Sequence, residues 1–290
     1  MTFLALLTKE LRLRMRRERT VWVLIVYVLF MALLGVFFIS RYANTNNGYY
    51  NSVALSQAGT ELYILLSFIQ LFLILFITPA FTSTSINGEK ERQTFDLLLC
   101  SRLSSFALVS GKLVAGLANA LLLIAAALPL FSLVFLFGGV SATQVLSALL
   151  VYIITTVMLG TFGLFCSTLI KRPAVSTALV YITAVLWLIV PLVLYTILAS
   201  TGGLQPSPHW PPLLFIWNPA IALYSTYAIS GNQFYAFADI KVAPWIAYSM
   251  LNSIATIVFF VLSMWTVKPE SLRKLRARRN QHRQKNATFP

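Results

Sequence analysis

Charge is what this chain has least of. Only 10% of its 290 residues are Asp, Glu, Lys or Arg, and eight of those are acidic. A water-soluble domain carries about 25% charged residues, so with 58% hydrophobic residues and a mean hydropathy of +0.79 a soluble globular fold is excluded. Cysteine and histidine are nearly missing too. Cys100 and Cys166 have no metal-ligand spacing and both fall near the expected cytosolic side, where thiols stay reduced, so they read as small, moderately apolar residues. His209 and His282 are far apart. No metal site, paired carboxylates, Ser/His/Asp set or His-rich membrane motif suggests an enzyme. A Gly-x-x-x-x-Gly-Lys-Ser/Thr loop to cradle ATP phosphates is absent. Inside the apolar runs the ionisable residues are Glu61 at an outer mouth and Lys112 near an inner one. Ion-coupled carriers generally place carboxylates or histidines at mid-depth. That counts against such a carrier, although backbone carbonyls alone also bind Na⁺.

What the chain does have is long apolar sequence. A helix needs about 20 apolar residues to cross the hydrocarbon core. Six stretches qualify: Val21–Ser40, Leu62–Ile86, Phe106–Phe137, Ala142–Ile170, Val175–Ala199 and Pro244–Val267. The third is long enough to tilt or to hold two shorter helices. Backbone groups in lipid must be satisfied within their own segment, so each run is expected to be helical. The expected fold class is an all-α integral membrane protein with six transmembrane helices.

The 22 Lys and Arg residues orient it. Lys9, Arg12, Arg14, Arg16, Arg17 and Arg19 precede the first run. Lys90, Arg92, Arg102 and Lys112 lie around the second-to-third connection, Lys171 and Arg172 between the fourth and fifth, and the remainder follow Val267 apart from Arg41 and Lys241. Only those two fall on the opposite side, so both termini are expected in the cytosol. The formal charge of +14 needs no nucleic-acid partner. Juxtamembrane cations retain topology and meet anionic membrane lipids.

Residues 1–19 read as a cytosolic interfacial amphipathic helix, with Leu4, Leu7, Leu11 and Met15 on one face and Lys9, Arg12, Arg16 and Arg19 on another. Residues 20–267 form the transmembrane domain, and 268–290 a basic cytosolic tail. The first run is too long for a cleaved signal, and Ser40–Asn44 is a poor cleavage site. Pro79 is expected to kink the second run near its cytosolic end. Gly111, Gly116, Gly160 and Gly163 favour close helix packing. Gly138-Gly139 predicts a tight turn, and Lys171-Arg172-Pro173 closes the fourth helix. Before the last run, 213–237 is apolar and aromatic without making a clean span. Asn218-Pro219 is a helix start, with Asn as cap and Pro at the first position, and Gly231-Asn232 a break. The segment reads as a re-entrant external helical hairpin.

Between the second and third runs sits the densest internal charge: Gly88-Glu89-Lys90-Glu91-Arg92-Gln93-Thr94-Phe95-Asp96-Leu97-Leu98-Leu99. Asn87-Gly88 followed by Glu89 and Glu91 has helix-start chemistry, because carboxylates favour the positive helix end. On a helix continuing through the segment Arg92 and Asp96 pair at i, i+4, and Phe95, Leu98 and Leu99 form an apolar ridge. Ser101–Ser105 breaks the helix, with Ser104 or Ser105 able to cap the third run. Such a short amphipathic helix, joined to two membrane helices, suits a partner's groove. A chain without fuel of its own that performs work must be driven from another chain.

At these residues the sequence resembles the permease subunits of type-2 ABC exporters. Their signature in this connection runs acidic-basic-acidic-Arg-x-Thr, an apolar Leu-rich stretch, then Ser-Pro-Leu-Ser. Here it stands as Glu89-Lys90-Glu91-Arg92-Gln93-Thr94, Phe95-Asp96-Leu97-Leu98-Leu99 and Ser101-Arg102-Leu103-Ser104, with Arg102 in place of the proline. The resemblance extends to the Lys9-Glu10-Leu11-Arg12 segment, the six-run count and the segment before the last run. It implies that residues 88–100 are a coupling helix entering a cleft on a cytosolic ABC ATPase subunit, that a second permease, identical or paralogous, completes a dimer, and that ATP and Mg are bound by the ATPase and no cofactor by this chain. Its implied coupling residues are Glu89, Lys90, Glu91, Arg92, Thr94, Phe95, Asp96 and Leu98, with Glu91 and Arg92 as polar contacts and Phe95 and Leu98 as apolar anchors. A bacterial plasma membrane is the implied location, and the lack of mid-membrane charge suits an apolar or amphipathic cargo. Two alternatives stay open: a related subunit transmitting ATPase work without cargo, in gliding or mechanotransduction, and a passive membrane scaffold.

Overall fold

The computed structural model describes residues 18–45, 52–91, 93, 105–200, 216–227, 235–237 and 240–267. Among these the chain is almost wholly helical: α1 (Glu18–Thr45), α2 (Ser52–Thr82), α3 (Asn87–Glu91), α4 (Ser105–Phe137), α5 (Ala142–Leu169), α6 (Pro173–Ser200), α7 (Pro219–Tyr227) and α8 (Pro244–Val267). Five stretches are long and apolar enough to cross a membrane: 56–91, 105–132, 142–169, 173–194 and 244–267. Within α1, Leu24–Ser40 is a further apolar stretch of shorter length. The third run forms one continuous helix of 33 residues rather than two. Pro79 lies inside α2, close to its end. Apart from Glu18 and Arg19, the expected interfacial helix and the basic tail lie outside the described residues.

Local chemistry sets the helix ends. Gly138 and Gly139 turn the chain between α4 and α5 with φ of 78° and 83°, a region in which residues with a Cβ are strained. Ser141 then caps α5 in a capping box: its hydroxyl accepts from the Gln144 N–H, and Gln144 Oε1 accepts from the Ser141 N–H at 2.8 Å. After α5 ends, Lys171 and Arg172 bend the chain, and Pro173 opens α6. Asn218 caps α7 through Oδ1, which accepts from Ala220 N–H at 2.8 Å.

The segment before α8 departs from a helical hairpin. Its first arm is α7, but Tyr235–Phe237 is a strand that pairs antiparallel with Ile240–Val242, placing Tyr235 opposite Val242. Aromatic and β-branched residues favour extended chain, and a two-residue connection allows hairpin pairing. Gly231-Asn232 lies outside the described residues.

α5 is the axis of the bundle, packing against α2, α4, α6, α7 and α8. The main core joins α1, α2, α4, α5, α6 and α7 through Met31, Tyr63, Leu71, Val134, Leu159, Val180 and Leu223 among others. Small residues bring α2, α4 and α5 close. A Cβ added at Gly163 meets Thr82 Oγ1 at 2.4 Å, one at Gly116 meets Thr82 Cγ2 at 3.0 Å, and one at Gly160 meets Leu117 Cδ2 at 2.4 Å. α6 lies at the edge and exposes Val175, Leu179, Ile182, Leu186 and Ile189.

Candidate functional site

The charged insert starts where α2 runs out. Backbone bonds carry most of the chain round this elbow: Ser83 N–H donates to Pro79 carbonyl at 3.0 Å, Gly88 N–H to Thr84 carbonyl at 3.1 Å and Lys90 N–H to Ile86 carbonyl at 3.1 Å. α3 is therefore tied directly to the end of a membrane-length helix.

Three other helices reach in to hold it. From α5, the Ser167 hydroxyl accepts both the Ile86 and the Asn87 N–H, each at 3.0 Å. From α6, Ser176 Oγ donates to the Ser83 carbonyl at 2.9 Å, and the Ser83 and Thr177 hydroxyls share a bond of 2.9 Å. From α4, Lys112 Nζ forms an ion pair with Glu89 Oε1. Lys90 Nζ donates to the Thr168 carbonyl at 3.0 Å, and Thr168 Oγ1 accepts from Thr266 Oγ1 of α8 at 2.8 Å. The Thr168 carbonyl belongs to the last turn of α5, where carbonyls lack intrahelical partners and a cation is favoured by the helix dipole.

The ion pair is sheltered. The Lys112 side chain is 4% exposed and that of Glu89 24%. Pairing is what makes a buried ammonium tolerable at this depth. Beside it, Asn87 is fully buried, with neither side-chain amide atom hydrogen-bonded among the described residues.

The expected coupling residues thus fall into two groups. Glu89 and Lys90 turn inward, onto Lys112 and Thr168. Glu91 is exposed, and so is Gln93. Arg92, Thr94, Phe95, Asp96 and Leu98 lie outside the described residues, as do Cys100 and Ser104. One expectation for the insert is corrected: an unbroken helix does not run from Asn87 through Asp96. α3 ends at Glu91, and Gln93 has φ 58°, with its N–H donating to the Lys90 carbonyl at 3.2 Å. A left-handed residue closing the last turn in this way terminates an α-helix.

Sequence reasoning passed over a second polar cluster, in the middle of the bundle. Tyr27 OH donates to Gln70 Oε1, Tyr152 OH to the Ser67 carbonyl at 3.0 Å, and Tyr63 OH to the Gln144 carbonyl at 3.1 Å. Gln70 and Ser67 are fully enclosed. The available signal was Gln70 itself, the lone carboxamide of an apolar run, since polar groups in such runs face the bundle interior. A cavity lies against Tyr63, Gln70, Phe131, Ala148 and Tyr152, with a volume of about 10 Å³. That is room for roughly one water molecule. Cys166 is a buried free thiol, and among the described residues no group of His, Cys, Asp and Glu is placed to hold a metal ion.

Residues 4–271 match a family model described as ABC-2 family transporter protein. A search of curated proteins gives no match.

Proposed function

The chain belongs to the ABC-2 transporter family, and from that premise we propose that it is the permease subunit of an ATP-driven exporter, moved by a separate ABC ATPase through residues 88–100. Membership makes it a multi-pass membrane subunit with an ABC ATPase partner, in a family whose members are typically not themselves catalytic. In the proposed arrangement Leu24–Ser40 is the first of six spans. Both termini and the insert face the cytosol of a bacterial plasma membrane, and a second permease, identical or paralogous, completes the dimer. ATP and Mg are bound by the ATPase.

One observation carries the reading: the elbow 83–90 is fastened by side chains of α4, α5 and α6. A push on the insert therefore bends no slack loop but moves the inner ends of several helices together. ATP-driven closure of the ATPases would shift those ends and open the path between the two permeases outward. A path between copies is in keeping with the cavity beside Gln70, which is far too small for a cargo molecule. An apolar or amphipathic cargo, such as a lipid, peptide or drug-like molecule, suits walls without mid-depth charge.

The test is the double substitution Glu91→Ala plus Arg92→Ala in proteoliposomes holding the chain and its ATPase. Transport-linked ATP hydrolysis is expected to fall while membrane insertion stays normal; undiminished coupling refutes the assignment. Cargo movement in the same vesicles separates an exporter from a subunit that transmits work without cargo.

A further inference from the structure

We propose that the start of the insert is two-sided, with Glu89 and Lys90 acting as positioning residues that lock it to its own bundle and Glu91 and Gln93 left as the side offered to the motor. This rests on reading residues 88–100 as the coupling segment and gives that segment an internal division of labour. Four charged or polar side chains stand consecutively but for Arg92, and their surroundings differ sharply. Glu89 meets Lys112. Lys90 meets the end of α5. Glu91 and Gln93 meet solvent.

The inner contacts suit force transmission for three reasons. Lys112 lies seven residues into α4, about 10 Å along its axis at 1.5 Å per residue, so the ion pair grips that helix within its body rather than at a frayed end. Lys112 is shielded from water, and separating the pair leaves its charge in a medium that solvates it poorly. Meanwhile Ser167 takes two successive backbone N–H groups of the elbow, and Lys90 takes the Thr168 carbonyl next to it. The insert is thus held to α4 by charge and to the last turn of α5 by three hydrogen bonds. Displacement entering at Glu91 reaches both helices at once. Lys112, Ser167 and Thr168 become parts of the transmission although the motor touches none of them.

Three readouts on the full chain test this, exchange and binding in lipid nanodiscs and hydrolysis in proteoliposomes. Amide hydrogen exchange at 86–91 is measured on the permease alone, and ATPase binding and transport-coupled hydrolysis on the complex. Lys112→Met is expected to speed exchange at 86–91 by about tenfold or more, and to lower coupling by a similar factor while ATPase binding stays within about twofold. Lys112→Arg and the swap Glu89→Lys plus Lys112→Glu are expected to restore both. Glu91→Ala is expected to do the opposite, weakening ATPase binding and leaving exchange unchanged. Should Lys112→Met fail to insert, Lys90→Met at the half-buried contact carries the same test. Unchanged exchange in Lys112→Met with uncoupling in Glu91→Ala overturns the clamp and leaves the coupling reading standing. Faster exchange in Lys112→Met with binding and coupling unaffected in both variants refutes the coupling reading of 88–100, and the two-sided insert falls with it.

Discussion

Replacing Gly163 with alanine adds one methyl group at a close crossing of α2 and α5. The new Cβ would stand 2.4 Å from Thr82 Oγ1, 3.3 Å from Thr82 Cβ and 3.5 Å from the Ser83 backbone nitrogen. Thr82 has no room to yield. It is β-branched and fully buried, and its hydroxyl donates to the Thr78 carbonyl at 2.9 Å. Forcing a methyl into a packed interior of this kind costs about 1–3 kcal/mol. Two other glycines calibrate the effect. Gly35 has nothing within 4 Å of an added Cβ, so Gly35→Ala is expected to change stability by less than about 0.5 kcal/mol. At Gly160 the close contact is Leu117 Cδ2, the tip of a flexible side chain that rotates away, so Gly160→Ala should cost less than Gly163→Ala. Thr82→Ala removes the opposing hydroxyl and methyl, so combined with Gly163→Ala it should recover part of the loss, a non-additivity of about 0.5–3 kcal/mol between touching residues. Reversible SDS unfolding in mixed micelles, followed by tryptophan fluorescence, gives these free energies. The packing argument is wrong if Gly163→Ala matches Gly35→Ala, or if the double variant loses the plain sum of its parts.

Asn218→Ala removes the α7 cap and also the donor to the Leu188 carbonyl at 2.9 Å that ties α7 to α6. A loss of about 0.5–2 kcal/mol is expected from the cap alone, read as faster hydrogen exchange at Ala220 and Ile221, with Asn218→Asp intermediate because it keeps the cap and loses the tie. A double-mutant cycle of Tyr27→Phe with Gln70→Leu should give a favourable coupling of about 0.6–1.7 kcal/mol, the range for hydrogen bonds between membrane helices; zero coupling in the same unfolding assay would mean the contact contributes no stability.

Much of the fold was legible because its signals are local. The apolar runs are helical, five of them at a length that crosses a membrane, and Asn218-Pro219, Gly138-Gly139 and Lys171-Arg172-Pro173 each state their geometry within a few residues and are realised. The same holds for Gly116, Gly160 and Gly163, although the sequence did not name Thr82 as the residue they surround. The inward face of the insert was not legible. Glu89 finds Lys112 across 23 positions and Lys90 finds Thr168 across 78, and only the packing of the spans brings such partners together. The stop at Gln93 was hidden for a different reason: its left-handed conformation has no glycine to announce it. The helical hairpin expected over 213–237 gives way to a strand at Tyr235–Phe237, because a short apolar run does not by itself tell helix from strand and its pairing with Ile240–Val242 decides. Of the residues expected to couple, Arg92, Thr94, Phe95, Asp96 and Leu98 lie beyond what the structure describes.

The seclusion of Lys112 makes ionic strength a sorting tool. Mobile ions screen charges in water over about 8 Å at physiological concentration, but they do not enter a packed interior. Glu91, Lys171 and Arg172 stand where salt reaches them, whereas the 4% exposed Lys112 does not. If the insert is the proposed lever, raising the electrolyte concentration should loosen attachment of a charged partner while the elbow keeps its stiffness, so that grip on the engine and rigidity of the lever become separately adjustable in one sample.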